Sequence, residues 1–132
     1  MGDGKKILVV DDEPDNIEFA KTVLEGADYT VISANDGVAG FETAKAEQPD
    51  LIILDVMMPK QDGFSTFNNL RNDEATKNIP VVMLTAVEEK TGIGFDAESM
   101  EQYMGSAPDG YADKPIDPKA LVALVAGILA QV

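Results

Sequence analysis

The sequence predicts an α/β protein built on a parallel sheet with helices on both faces. Three observations predict it. Short apolar runs rich in β-branched residues alternate five times with segments at helical spacing. The third run, Leu51-Ile52-Ile53-Leu54, is apolar throughout rather than alternating, as a strand buried on both faces must be. Distinctive polar residues follow the runs directly, where open α/β sheets place their sites.

Each element can be justified in order. Lys6-Ile7-Leu8-Val9-Val10 reads as a buried strand. Asp11-Asp12-Glu13-Pro14 follows, with Pro14 suited to a first helical turn. Ile17, Ala20, Val23 and Leu24 then recur at helical spacing, and Gly26 is expected to end that helix. Tyr29 to Ala34 is a second strand. Asn35-Asp36-Gly37 starts a second helix, with Val38, Phe41, Ala44 and Lys45 on one side, until Pro49. Leu51 to Leu54 is the third strand. Gly63 or Phe64 opens a third helix through Phe67, Leu70 and Arg71. Pro80 precedes a fourth strand, Val81 to Thr85, and Gly110 to Asp113 makes a short fifth. Pro118 opens a last helix to Ala130. Crossovers between such strands are right-handed.

The chain has 132 residues, enough for one domain with a sizeable core, and 45% of them are hydrophobic. We read residues 1–132 as a single domain, with no effector domain after the last helix. No run reaches the roughly 18–20 apolar residues of a membrane span, and no secretory signal opens the chain. Met1-Gly2 begins like a myristoylation site, but Lys6 stands where Ser or Thr is required. There are no cysteines, hence no disulfide or thiolate site, and a cytoplasmic location fits. With 24 Asp and Glu against 10 Lys and Arg, the net charge is −14, which argues against nucleic-acid binding. The absence of histidine excludes a histidine triad and a phosphohistidine carried by this chain.

The strand ends carry the chemistry. Asp11 and Asp12 follow the first strand, and Asp55 ends the third. Thr85 ends the fourth, and Lys114-Pro115 follows the fifth. Three carboxylates in one crevice repel each other and attract a hard cation, and oxygen ligands suit Mg2+. A lysine can pair with Asp55, and a hydroxyl can donate to a phosphoryl oxygen. Such a set fits phosphoryl transfer, with Asp55 as the nucleophile that becomes an acyl phosphate. Taken singly, the same residues read otherwise. Asp11-Asp12 suits any helix N-terminus. Thr85 is an ordinary strand-end threonine, and Tyr111 a core or surface aromatic. Glu88, Glu89 and Asp73 read as a solvated face.

The segments VVDDEP, LDVMMPKQDGF, VVMLTA and YADKP, in this order and spacing, resemble the receiver domain of bacterial two-component response regulators, of the single-domain, chemotaxis-regulator-like kind. The resemblance covers essentially the whole chain. It implies a flavodoxin-like doubly wound five-stranded parallel sheet of order 2-1-3-4-5 with five helices. It implies Asp55 as phosphoacceptor, with Asp12, Asp55 and the Met57 backbone carbonyl on Mg2+ and Asp11 reaching it through water. Lys114 would pair with the phosphoryl group before a cis bond to Pro115, and Thr85 and Tyr111 would form the switch. The donor would be a phosphohistidine on a partner histidine kinase or phosphotransfer protein, and the output a downstream protein target. The chain would catalyse only its own phosphorylation and slow dephosphorylation.

Other functions on this pattern are a phosphorelay intermediate, a Mg2+ phosphatase of the haloacid dehalogenase type, a flavin carrier and a silent receiver. The phosphatase needs an acid two residues after the nucleophile, where Met57 stands. The flavin carrier needs a Ser/Thr/Gly phosphate cradle where DDEP stands. A silent receiver would have a broken acidic set, and this one is intact.

Three features depart from the pattern or extend it. Thr85 and Tyr111 are separated by 25 residues, including a short helix expected from Asp96 with Phe95, Met100, Tyr103 and Met104. This segment reads equally as a partner-specific loop or one ordered by phosphorylation, and as a tolerated surface insertion. The last helix carries a core stripe of Leu121, Leu124, Val125, Ile128 and Leu129. Val122, Ala123 and Ala126 make its far side apolar too, which predicts a partner or a homodimer through this helix. Met57 and Val87 are apolar where the resemblance places the water path to the acyl phosphate. They predict slow self-dephosphorylation.

Overall fold

The computed structural model describes residues 4–55, 63–86, 110–114 and 117–130, with side chains at 4–55, 66–84 and 117–130. The strands are β1 (Lys6–Val10), β2 (Thr30–Ala34), β3 (Leu51–Asp55), β4 (Val81–Ala86) and β5 (Gly110–Lys114). The helices are α1 (Pro14–Glu25), α2 (Gly37–Glu47), α3 (Gly63–Arg71) and α4 (Pro118–Leu129). All strand pairs are parallel, in the order β2-β1-β3-β4-β5. The helix expected after Asp96 lies outside the described residues.

Side-chain alternation along the strands builds two cores. Leu8 and Val10 of β1, Ile52 and Leu54 of β3, and Met83 of β4 face Phe67 and Leu70 of α3 and Ala44 of α2. Ile7, Val9, Ile53, Val82 and Leu84 face the other way, against Ala20 and Leu24 of α1 and Leu121 and Val125 of α4. Burying each such Leu, Ile or Val stabilises the fold by about 1.5–3 kcal/mol, so every central strand is held from both faces.

As expected, α1 ends at Glu25 with Gly26 as its cap, but the left-handed turn lies further on. Gly26 does not take the left-handed C-terminal position; its φ is −64°. The reversal comes two residues later at Asp28, with φ 73°. There the Asp28 N–H donates to the Glu25 carbonyl and the Tyr29 N–H to the Leu24 carbonyl, both at 3.1 Å. This is a Schellman closure with Asp in the glycine position, and the apolar pair Leu24–Tyr29 packs beneath it. Asp is one of the few residues with a side chain that visit this region readily.

The α2 face is a larger correction. The expected side of Val38, Phe41, Ala44 and Lys45 is buried only in part: Ala44 is fully buried and Phe41 packs half-buried against the core. Gly37, Gly40 and Ala44 are buried, whereas Val38 is 51% exposed and Lys45 is exposed. The reason is distance: α2 lies so close to β1 that only the smallest residues fit between them. Asp36 caps its start, Oδ1 accepting from the Ala39 N–H at 2.8 Å. Gln48 ends it with φ 50°, and its side-chain amide donates to the Ala75 carbonyl at 2.9 Å.

Asp73 is likewise not merely solvated. Its Oδ1 accepts from the Ala75 N–H at 2.9 Å and its Oδ2 lies 3.7 Å from Lys45 Nζ. Arg71 lies over the Phe67 ring, 4.8 Å from its centroid, and donates to the Ile79 carbonyl at 2.8 Å. These contacts anchor α3 to the start of β4. In α4, Leu121, Val125 and Leu129 are buried while Leu124 and Ile128 are partly buried against the same core.

Candidate functional site

The site is built by strand register. Val10, the last residue of β1, pairs with Ala34 of β2 on one side and Leu54 of β3 on the other. The residues that follow Val10 and Leu54 therefore leave the sheet side by side at its carboxyl edge. They are Asp11 and Asp55. The Asp11 N–H donates to the Ala34 carbonyl at 3.1 Å, extending the β1–β2 ladder by one bond. Its Oδ1 accepts from the Glu13 N–H at 2.9 Å, which turns the chain into α1 and fixes the carboxylate. Asp11 and Asp55 are buried and Asp12 is half-buried.

One carboxylate oxygen from each of Asp11, Asp12 and Asp55 lies within 4.8 Å of the others. Like charges this close repel by several kcal/mol even at an effective dielectric constant of about 20. A divalent cation is the simplest way to offset that. An octahedral Mg2+ with bonds of about 2.1 Å holds neighbouring ligands about 3 Å apart and opposite ones about 4.2 Å apart. The three oxygens fit such an ion with a small inward movement, or with one of them contacting it through water.

The other expected residues are placed by backbone alone. Asp55 pairs with Leu84, so Thr85, the next residue, stands one step further along the same edge. Lys114 pairs with Ala86 at the carboxyl end of β5, and Tyr111 pairs with Met83 within the sheet. Met57, Val87 and Pro115 lie outside the described residues.

Two recesses adjoin these elements. One, of about 560 Å³, opens beside Asp12 between α1 and α2, lined by Glu18, Ser33, Asn35 and Thr43 among others. Sequence reasoning did not single out these polar residues, although Asn35 directly follows a strand and carried the same positional signal as Asp11. The other, of about 530 Å³, lies between the end of α1 and α4, lined by Val23, Ala27, Val122, Ala123 and Ala126.

Fold and site together define a class: a doubly wound α/β protein with a carboxylate triad at the carboxyl edge of its central strands. The profile of the response regulator receiver domain matches residues 7–126. The chain belongs to that family, the receiver domains of two-component signalling systems.

The chain is 42% identical over 127 residues to the DNA-binding dual master transcriptional regulator RpaA of Synechocystis, covering 94% of this chain and 48% of that protein. The chain spans about half the length, or less, of the curated relatives it matches. A putative response regulator from Chloroflexus aurantiacus superposes with a TM-score of 0.82 at 33% identity, covering 96% of this chain and 98% of that one. The receiver domain of sensor histidine kinase PA1611 from Pseudomonas aeruginosa superposes with a TM-score of 0.81 at 25% identity, covering 96% and 98%; it carries a magnesium ion in its active-site cleft. Receiver domains are signalling domains, and phosphorylation and Mg2+ binding are typical of the family. Among the described residues, no helix is long and apolar enough to cross a membrane.

Proposed function

We propose that this chain is a phosphorylation-dependent signalling switch that accepts a phosphoryl group on Asp55. The observation that carries this reading is the triad of Asp11, Asp12 and Asp55 within 4.8 Å at one sheet edge. A phosphohistidine on a partner histidine kinase or phosphotransfer protein is the donor. An Asp55 carboxylate oxygen attacks phosphorus, the P–N bond breaks, and the imidazole leaves with the electron pair and takes a proton. The product is an acyl phosphate on Asp55.

Asp12, Asp55 and the Met57 carbonyl would hold Mg2+, with Asp11 reaching it through water. The ion supplies charge neutralisation on the phosphoryl oxygens. Lys114 pairs with the phosphoryl group and Thr85 donates a hydrogen bond to it. Tyr111 follows the threonine inward, biasing a pre-existing pair of arrangements toward the one that binds a downstream protein. The chain thus forms one five-stranded, five-helix receiver unit, acting in the cytoplasm without contacting nucleic acid or membrane and without turning over an external substrate. Its likeness to a receiver carried by a sensor kinase supports relay to a further phosphotransfer protein as a second reading.

The test is incubation with acetyl phosphate and Mg2+ followed by intact-mass measurement. Wild type is expected to gain one phosphoryl mass, and Asp55→Asn none. Equal labelling of both proteins, or of neither, overturns the assignment.

A further inference from the structure

We propose that Gly40 is a positioning residue for Asp11 and Asp12, and that its missing side chain sets where this pair stands relative to Asp55. The proposal rests on reading the triad as the Mg2+ and phosphoryl site.

Gly40 lies inside α2, where its N–H donates to the Asp36 carbonyl at 2.9 Å. Glycine costs helix stability at such a position because the unfolded chain has more freedom to lose. No turn there needs it, since among the described residues the positive φ values occur at Gly4, Asp28 and Gln48. The steric surroundings supply the reason. A Cβ on residue 40 would stand 2.8 Å from Val10 Cγ2 and 2.9 Å from Val10 Cγ1. Carbon atoms in contact prefer about 3.5–4.0 Å, so reaching that spacing takes a movement of roughly 0.6–1.2 Å.

Val10 cannot yield by itself. It is β-branched and stiff at χ1, 1% exposed, and paired in register with both Ala34 and Leu54. It is also the last strand residue before Asp11 and Asp12. A push on Val10 is thus a push on the root of the acidic pair, while Asp55, one residue past Val10's partner Leu54, is anchored from its other side by Leu84 of β4. On the adjoining flank of the same helix, Ala39 and Thr43 share a recess with Asp12, so the height of α2 also sets the wall beside that carboxylate. Mg2+ tolerates little departure from octahedral geometry at about 2.0–2.1 Å. A displacement of this size changes its affinity.

The experiment is calorimetric titration of Mg2+ into wild type, Gly40→Ala, Val10→Ala, the double variant Val10→Ala/Gly40→Ala, and Val81→Ala. Val81 belongs to the same core as Val10 but sits at the opposite end of the sheet, so it controls for lost stability alone. Gly40→Ala is expected to bind Mg2+ about tenfold more weakly, the scale of a disturbed ligand support. Val81→Ala should bind like wild type, and the double variant within about threefold of Val10→Ala. A folded Gly40→Ala with wild-type affinity overturns the proposal, as does an equal loss in Val81→Ala. Should Gly40→Ala not fold, the double variant decides, because both clashing methyls are gone. A tenfold loss relative to Val10→Ala would then overturn it. No Mg2+ binding by wild type removes the site assignment itself, and this proposal with it.

Discussion

Replacing Asp12 by Asn should change stability in opposite directions with and without Mg2+. Without the ion, Asp12 is one of three carboxylates whose oxygens lie within 4.8 Å. At that separation and an effective dielectric constant near 20, each pair of charges repels by about 3.5 kcal/mol. Asp12 has two such neighbours, but it is only half-buried, so water and salt screen most of its share. A net gain of about 1–2 kcal/mol is expected for Asp12→Asn in EDTA, raising Tm by about 4 °C per kcal/mol for a domain of this size. With Mg2+ at about 100 times its Kd, wild type gains about 2.7 kcal/mol that a variant lacking this ligand does not. The order of stability then reverses. Thermal unfolding followed by circular dichroism in EDTA and in Mg2+ reads both signs. An Asp12→Asn protein less stable than wild type in both buffers, or a wild type indifferent to Mg2+, refutes the reasoning.

Three further outcomes are expected. Arg71→Ala should cost about 1–3 kcal/mol in urea unfolding, because the Ile79 carbonyl loses a charged donor and Phe67 loses its stacked guanidinium. Met57→Asn or Met57→Glu should shorten the phosphoform lifetime measured by the decay of the phosphorylated mass, since a polar side chain there can orient an attacking water. If the apolar side of α4 pairs two copies of the phosphorylated chain, Val122→Glu should abolish the dimer in sedimentation, because it buries an unpaired charge.

The strands and their ends were legible because buried parallel strands leave continuous apolar runs, and the residue after each run must emerge at the carboxyl edge. That rule puts Asp11, Asp12 and Asp55 at one edge, where their carboxylates do meet. The burial of α2 was legible only in part. Hydrophobic periodicity points to Val38, Phe41 and Ala44, of which Ala44 is buried and Phe41 half-buried, whereas the closest approach to β1 falls on Gly40, which carries no hydrophobic signal. The end of α1 at Gly26 was legible, whereas the left-handed turn two residues on at Asp28 was not, because glycine is the usual signal for it. Asp73 reads as one more surface acid, and its bond to the Ala75 N–H depends on a turn that composition does not announce.

A single divalent cation shared across the ends of β1 and β3 is the central requirement of the proposed switch. A crystal structure of the protein grown with Mg2+ measures this directly. An ion about 2.0–2.1 Å from oxygens of both Asp12 and Asp55, with Asp11 one water away, is the predicted result. An ion bound elsewhere, or an Asp12 side chain turned out of the cleft in saturating Mg2+, contradicts it.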